Sequence, residues 1–288
     1  MSVRTAVSNP WGKPRFLWGV GIAYVVWTMI PIVTAVVFSF NSTRSISFFT
    51  GFSLRWWLFD PDDSLVHDPA IRHAIVQTLK LALLTTVVAV PLGVGFALAL
   101  DRWRGRTATS TNFVMMFSFI TPELILAVSL FLLFINAYKI IGLGTGAQLA
   151  GLVILALAYP VVIVRARLIS LGRDLEEAAL DLGASPLGSL TRVTLPLLMP
   201  AILASGAIVF ALALDDFVTV QQLSSDAPTA TVSMFIYGTA RGAPTPSANA
   251  VGTLMLTAST LIIVLAYLFY RRSTRRQGTG TAPVELAA

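Results

Sequence analysis

The 288-residue sequence contains no cysteine, which removes disulfides and thiolate metal sites from consideration. Histidine is almost as scarce. The two residues, His67 and His73, flank an Asp/Pro-rich stretch and read as part of a solvated loop, not as metal ligands. Charge is also low, at 12% of residues against about twice that in a soluble domain. No G-x-x-x-x-G-K-[ST] loop is present to cradle nucleotide phosphates. Gly142-Leu-Gly144-Thr-Gly146 lacks the lysine and reads as an outer turn. No internal repeat recurs at a fixed period. What fills the chain is apolar: 56% of residues, with a mean hydropathy of +0.78.

The apolar residues fall into six runs at about 16–40, 74–100, 113–135, 148–164, 198–223 and 248–270, each near the ~20 residues that cross a hydrocarbon core. The fold class expected is therefore all-α integral membrane, with six transmembrane helices over residues 16–270. The first run is too long for a signal-peptide core, and the residues after it, Phe38 to Asn41, offer no small-residue cleavage site. It is expected to be retained.

Basic residues sit at the ends of these runs. With the N-terminus inside, the cytoplasmic segments hold fourteen Lys and Arg and the opposite side five. The positive-inside rule then places both termini in the cytoplasm. The net charge of +6 and pI near 10.1 do not signal nucleic acid, because no basic stripe with interleaved aromatics exists. The partner implied is the lipid bilayer. Residues 1–15 read as a cytoplasmic segment and 271–288 as a basic, disordered cytoplasmic tail. In the first outer loop, about 41–73, Asp60, Asp62, Asp63 and Asp68 follow Trp56 and Trp57, which are placed to anchor the interface.

The inner loop at about 165–197 carries the most specific pattern. Residues 174–186 encode a short helix with both ends marked. Asp174 and Glu177 are spaced as a capping-box-like pair, Gly183 can adopt the left-handed closing conformation, and Pro186 blocks continuation. Leu175, Ala178, Ala179 and Leu182 share one face, made shallow by two alanines. Glu176, Glu177 and Asp181 make the segment acidic, which favours docking on protein over lying on an anionic leaflet.

Glu177-Ala178-Ala179, three residues, Gly183, nine residues, then Val193-Thr194-Leu195-Pro196 resembles the EAA signature of binding-protein-dependent ABC permeases. The family usually has Ile where Val193 stands. The resemblance implies a coupling helix that seats on an ATPase subunit, with Glu177, Ala178, Ala179, Gly183, Leu195 and Pro196 as coupling residues. Softer matches at Ser53-Leu-Arg-Trp56, Ser118-Phe-Ile-Thr-Pro122-Glu123 and Leu212-Ala-Leu-Asp215-Asp216-Phe-Val218 are similar to spermidine/putrescine-type permeases, specifically the second paired membrane subunit. By that resemblance the chain performs no bond chemistry and binds no cofactor. ATP and Mg belong to a partner ATPase dimer. A second homologous permease and an extracytoplasmic substrate-binding protein complete the set, in the bacterial cytoplasmic (inner) membrane. The substrate implied is a polyamine, with another small cation, an amino-acid derivative or ferric ion left open.

Carboxylates inside an apolar run are costly unless they face protein, water or a partner. Asp215 and Asp216 lie toward the outer end of the fifth run, where a place on the substrate path and a simple helix-end position are both open. Glu123, after Pro122 in the third run, marks either a kink toward an internal cavity or a break at the interface. Lys80 can snorkel to the headgroups. Adjacent side chains on a helix point about 100° apart, so Asp215 and Asp216 do not form a protease dyad with each other. A gradient-driven transporter would share the spans and acids but has no need of the capped acidic helix.

Overall fold

The computed structural model describes residues 15–102, 110, 113, 120–137, 141–225, 227–242 and 244–278. These are almost wholly helical. Among the described residues, five helices are long and apolar enough to cross a bilayer, over Leu17–Phe38, Pro69–Arg102, Thr145–Leu171, Pro186–Asp215 and Pro246–Leu265. A sixth apolar helix, Glu123–Asn136, is shorter, and the residues preceding it in the expected third run, 114–119, lie outside the described set. Residues 1–14 and 279–288, with Arg104, Arg106 and Lys139, lie outside it too.

The chain divides into two compact units, residues 1–68 with 239–253 and residues 69–238 with 254–288. In the first unit, α1 (Arg15–Phe38) buries none of its most apolar stretch within the chain. The segment after it is an ordered cap. Asn41 is fully buried, and its side chain uses all four of its hydrogen-bonding sites. Nδ2 donates to the carbonyls of Ser45 and Phe48, at 2.7 and 2.9 Å, while Oδ1 accepts from Thr50 N and Thr50 Oγ1, both at 2.9 Å.

Trp56 is fully buried in a single π-helical turn, Arg55–Phe59, with Nε1 donating to the Asn41 carbonyl at 2.6 Å. Trp57 stacks on Phe40 at 5.3 Å. Of the two tryptophans expected at the interface, Trp56 is therefore buried inside the cap, because its indole N–H satisfies a buried carbonyl, while Trp57 is half-buried. Arg44 pairs with Asp63 at 2.6 Å and Arg55 with Asp60 at 2.7 Å. Burial would raise the Asp60 carboxyl, but the backbone N–H of Asp63, the Arg55 guanidinium and the backbone N–H of Asp62 outweigh it and hold it below the ordinary carboxylate range. His67 closes on Ser64 Oγ at 2.9 Å. His73 stands in a helix, not in the loop where it was expected, because Pro69 opens that helix early.

The second unit is a bundle of α2 (Pro69–Arg102), α4 (Thr145–Ala156), α5 (Ala158–Leu171) and α8 (Leu195–Asp215), flanked by α3 (Glu123–Asn136). Mostly small and β-branched residues make its core: Ala89, Val90, Val94 and Ala97 of α2 meet Val161 and Val164 of α5 and Val209 of α8, with Leu198 of α8 among them. Within a membrane such close packing replaces the hydrophobic effect as the force between helices. Gly93 marks the tightest crossing. A Cβ there would lie 2.5 Å from Pro160 Cγ and 2.8 Å from its Cβ.

The last helix, α11 (Pro246–Gly278), begins in the first unit and continues into the second. It carries helical backbone past Tyr270, where a disordered tail was expected.

The crossing predicts a contrast. Gly93→Ala should destabilise the chain by about 1–3 kcal/mol through overpacking against a rigid proline ring. Gly95→Ala, which meets nothing within 4 Å, should not. Thermal unfolding of the two variants in detergent checks this, and equal midpoints would refute the close crossing.

Candidate functional site

Asp215 is the last residue of α8, and the backbone turns out of the helix at Asp216 with ψ 126°. The expected fifth run to 223 is thus broken. Asp216 supplies the reason: Oδ1 accepts from the N–H groups of Thr219 and Val220 at 3.0 and 3.1 Å, capping the short α9 (Val218–Gln222). Its carbonyl accepts from Ser233 Oγ at 2.7 Å, at the start of α10 (Val232–Arg241).

The far side of this break is held by Gln148, fully buried in α4. Its Nε2 donates to the carbonyls of Val220 and Thr229, both at 3.0 Å, and its Oε1 accepts from Gln77 Nε2 at 3.1 Å. Gly144 N–H donates to the Leu223 carbonyl at 2.8 Å, and Gly144, at φ +127°, makes the turn expected of the glycine-rich segment. Sequence reasoning passed over Gln77 and Gln148. The signal available was that each is a neutral polar residue within an apolar run.

Against this break lies a cavity of about 1040 Å³, lined by α8, by α4 and α5, by the start of α3, and by Ile263 and Tyr267 of α11. Among the described residues, Glu123, Asp215 and Asp216 line it, and no Lys, Arg or His does. Pro122 is the residue before α3 and takes an extended ψ of 132°, so it starts a helix instead of kinking one. That places Glu123 in the first helical turn, on the wall of the same cavity as Asp216. Asp215 is exposed, while Asp216 is half-buried by its capping role. Tyr159, Phe217 and Tyr267 add aromatic surface, and Ala156, Ala204, Ala207 and Ala211 keep the wall low. Lys80, exposed on α2, is absent from the lining.

At the opposite end of α8 the inner loop folds much as its pattern suggests. α6 (Asp174–Asp181) closes on Gly183 at φ +86°. Gly183 N–H donates to the Leu180 carbonyl at 2.9 Å and Ala184 N–H to that of Ala179 at 3.0 Å, the paired bonds of a Schellman motif. The capping box does not form. Arg173 occupies the cap position, with no side-chain bond, and Asp174 is already helical, so its carboxylate acts on the helix dipole only.

Pro186 stops α6 but opens α7 (Pro186–Ser189), where Ser185 Oγ accepts from Gly188 N–H at 3.1 Å. A π-helical turn, Leu190–Thr194, then leads into α8. Glu177, Ala178 and Gly183 are exposed and Ala179 half-buried, with Leu182 90% exposed beside them. Leu195 and Pro196 instead open α8, where Leu195 packs on the bundle core. Glu176 is taken by Arg102 at 2.5 Å, and Arg173 donates to the Asp101 carbonyl at 2.9 Å, tying α6 to the end of α2. Sequence reasoning did not find these ties, because their partners lie some seventy residues apart.

Residues 89–279 match the family model described as binding-protein-dependent transport system inner membrane component. The chain belongs to this family. Over 277 residues this permease is 31% identical to the putrescine transport system permease protein PotI of Escherichia coli K12, covering 94% of each chain. To the spermidine/putrescine transport system permease protein PotC of Haemophilus influenzae it is 30% identical over 261 residues, 90% of this chain and 98% of the relative. Its fold matches a bacterial ABC transporter involved in import of the acidic polysaccharide alginate, with a TM-score of 0.70, 20% identity, and 89% and 95% of the two chains covered. A methionine ABC transporter, MetNI, matches at a TM-score of 0.61 and 16% identity, over 71% of the permease and 96% of that chain. The permease is a multi-pass membrane protein and a transport component.

The break geometry separates the two aspartates. Asp216→Ala should cost about 0.5–2 kcal/mol by removing the cap of α9. Asp216→Asn should cost little, since its Oδ1 can accept the same bonds, and Asp215→Asn should leave stability unchanged. Unfolding midpoints of the three variants read this directly. An Ala variant as stable as the Asn variant would refute the cap.

Proposed function

We propose that this permease is one of two homologous membrane subunits of an ATP-driven importer, and that its cargo is a polyamine. One observation carries the substrate: among the described residues, the cavity wall holds three carboxylates, no basic residue and three aromatic rings. Such a wall attracts an extended polycation, whose ammonium groups can pair with carboxylates and whose methylene stems lie on aromatic and alanine surface. The relatives named for putrescine and spermidine transport support the same reading.

The chain supplies the path, and the energy comes from ATP and Mg at a separate ATPase dimer. The exposed helix α6 is the docking element for that dimer, with Glu177, Ala178, Ala179 and Gly183 at the contact and Leu195 and Pro196 passing its motion into α8. An extracytoplasmic binding protein delivers the cargo. Both termini face the cytoplasm of a bacterial inner membrane, in keeping with the distribution of Lys and Arg.

Uptake of labelled putrescine and spermidine, in cells expressing the permease with its genomic neighbours, should require both this chain and an intact ATPase. With that established, Asp215→Asn should lower Vmax/KM for spermidine by about tenfold, the effect of losing one charge-assisted contact. An unchanged Vmax/KM would remove Asp215 from the path.

For α6, Gly183→Val should strain the closing turn by about 1–2 kcal/mol. Nothing lies within 4 Å of that position, so the penalty is in the backbone alone. Uptake driven by ATP should fall while membrane expression persists. Full uptake in the valine variant would argue against α6 as the coupling element.

A further inference from the structure

Apolar packing does little to hold α6 against the second unit. None of its eight residues is buried, and the two that are half-buried, Glu176 and Ala179, stand three apart on one face. A helix ordinarily keeps its place by an apolar stripe laid on the core. Here the inward face offers one methyl group and one carboxylate. Both ends of α6 are joined through glycines in the left-handed region, Gly172 at φ +69° and Gly183 at φ +86°, and nothing lies within 4 Å of the place a Cβ would take on either. Neither joint carries a side chain that could brace it.

Charge supplies what packing does not. Arg102, the last residue of α2, donates from Nη2 to Glu176 Oε1 at 2.5 Å. Arg173, the residue before α6, donates to the Asp101 carbonyl at 2.9 Å, with the Asp101 carboxylate 3.4 Å away. A helix C-terminus leaves carbonyls without partners, and a helix N-terminus favours an anion. The two ties join one such end to the other: Arg173 supplies a donor to the end of α2, and Glu176 stands in the first turn of α6. Glu176 and Glu177 are neighbours in sequence but point about 100° apart, so the first is held by the chain and the second is exposed. The peptide chain links α6 to α5 and, through α7, to α8. Its link to α2 is made by these side chains.

We propose that Arg102, Glu176 and Arg173 are positioning residues for energy coupling: they clamp α6 to α2, so that a displacement of α6 moves α2 instead of swinging the short helix about its glycine joints. This rests on α6 being the docking element for the ATPase, and it adds α2 to α8 as a recipient of the motion. Toward its other end α2 holds Gln77, bonded to Gln148, and Thr78, which accepts from Val232 N–H, so the clamp connects α6 to the network beside the cavity. Exposed ion pairs contribute little to folding stability. The clamp therefore shows in coupling and not in the unfolding midpoint.

Arg102→Cys together with Glu176→Cys removes the first tie and, in a chain without cysteine, leaves two thiols that a short bifunctional methanethiosulfonate can bridge and a reductant can release. The variant is assembled with its ATPase, second permease and binding protein in proteoliposomes, and putrescine uptake and phosphate release are measured together. The wild-type transporter given the same reagents is the reference. Uptake per ATP should fall about fivefold in the unbridged variant, the factor that one ion pair carries at the upper end of the exposed range. It should return on bridging and fall again on reduction, while the unfolding midpoint and the co-purifying ATPase stay as in the wild type. An unbridged variant with the wild-type ratio, or a bridged one that stays uncoupled, overturns the clamp. A photoreactive label on Leu182→Cys, at a position 90% exposed on the same loop, tests the docking separately. Capture of the ATPase supports the reading on which the clamp rests, and no capture overturns both.

Discussion

A helix that ends inside a membrane protein leaves backbone groups that no solvent can satisfy, and in this chain that problem arises at Asp216. The structure resolves it from both sides. Asp216 accepts from the freed N–H groups of α9. Gln148, from another helix, donates to the carbonyls of Val220 and Thr229 beyond it. Without those bonds the break would be an uncompensated cost of several kcal/mol, and α8 would run on and fill the space beside it. The cavity exists because the break is stabilised.

This makes the two adjacent aspartates unlike each other. Asp216 is committed to the fold by its capping bonds, and Asp215, exposed at the helix end, is left to face the cavity. The helix-end position of Asp215 also lies on the cavity wall, so it is compatible with the substrate path proposed above. Glu123 behaves similarly: Pro122 forces a helix start, and that start is what carries the carboxylate to the same wall. Charge and secondary-structure punctuation coincide because both depend on polar backbone being available.

Much of this was readable in the sequence, for reasons tied to individual residues. Apolar runs mark spans because hydrocarbon thickness sets their length, and Gly183 marked a helix end because few other residues tolerate φ +86°. The inward turn of Trp56 was not readable, since it depends on an Asn41 carbonyl fifteen residues away. Nor was the failure of the capping box, where a helix starting at Asp174 already places that residue inside the first turn. Carboxylates were conspicuous in an apolar run; their convergence on one wall needed three helices to be placed. Neutral Gln77 and Gln148 drew no attention, yet they hold the break.

The two ends of the second unit are mechanically connected. α8 starts at Leu195 and Pro196 and ends at Asp215, 21 residues or about 31 Å later, without an interruption. α2 runs parallel in function: Arg102 at one end is bonded to Glu176 of α6, and at the other Gln77 is bonded to Gln148 while Thr78 accepts from Val232 N–H. If α6 is the docking element proposed above, a push on it has two continuous helices to travel along, each with one internal proline, Pro91 in α2 and Pro200 in α8, and both lead to the network that holds the break open. Packed helices with small residues at their crossings shift as bodies before they deform. Moving α8 relative to α4 would then change the geometry at Asp215 and Gln148 together, so that the width of the cavity and the position of its charge follow from a single displacement.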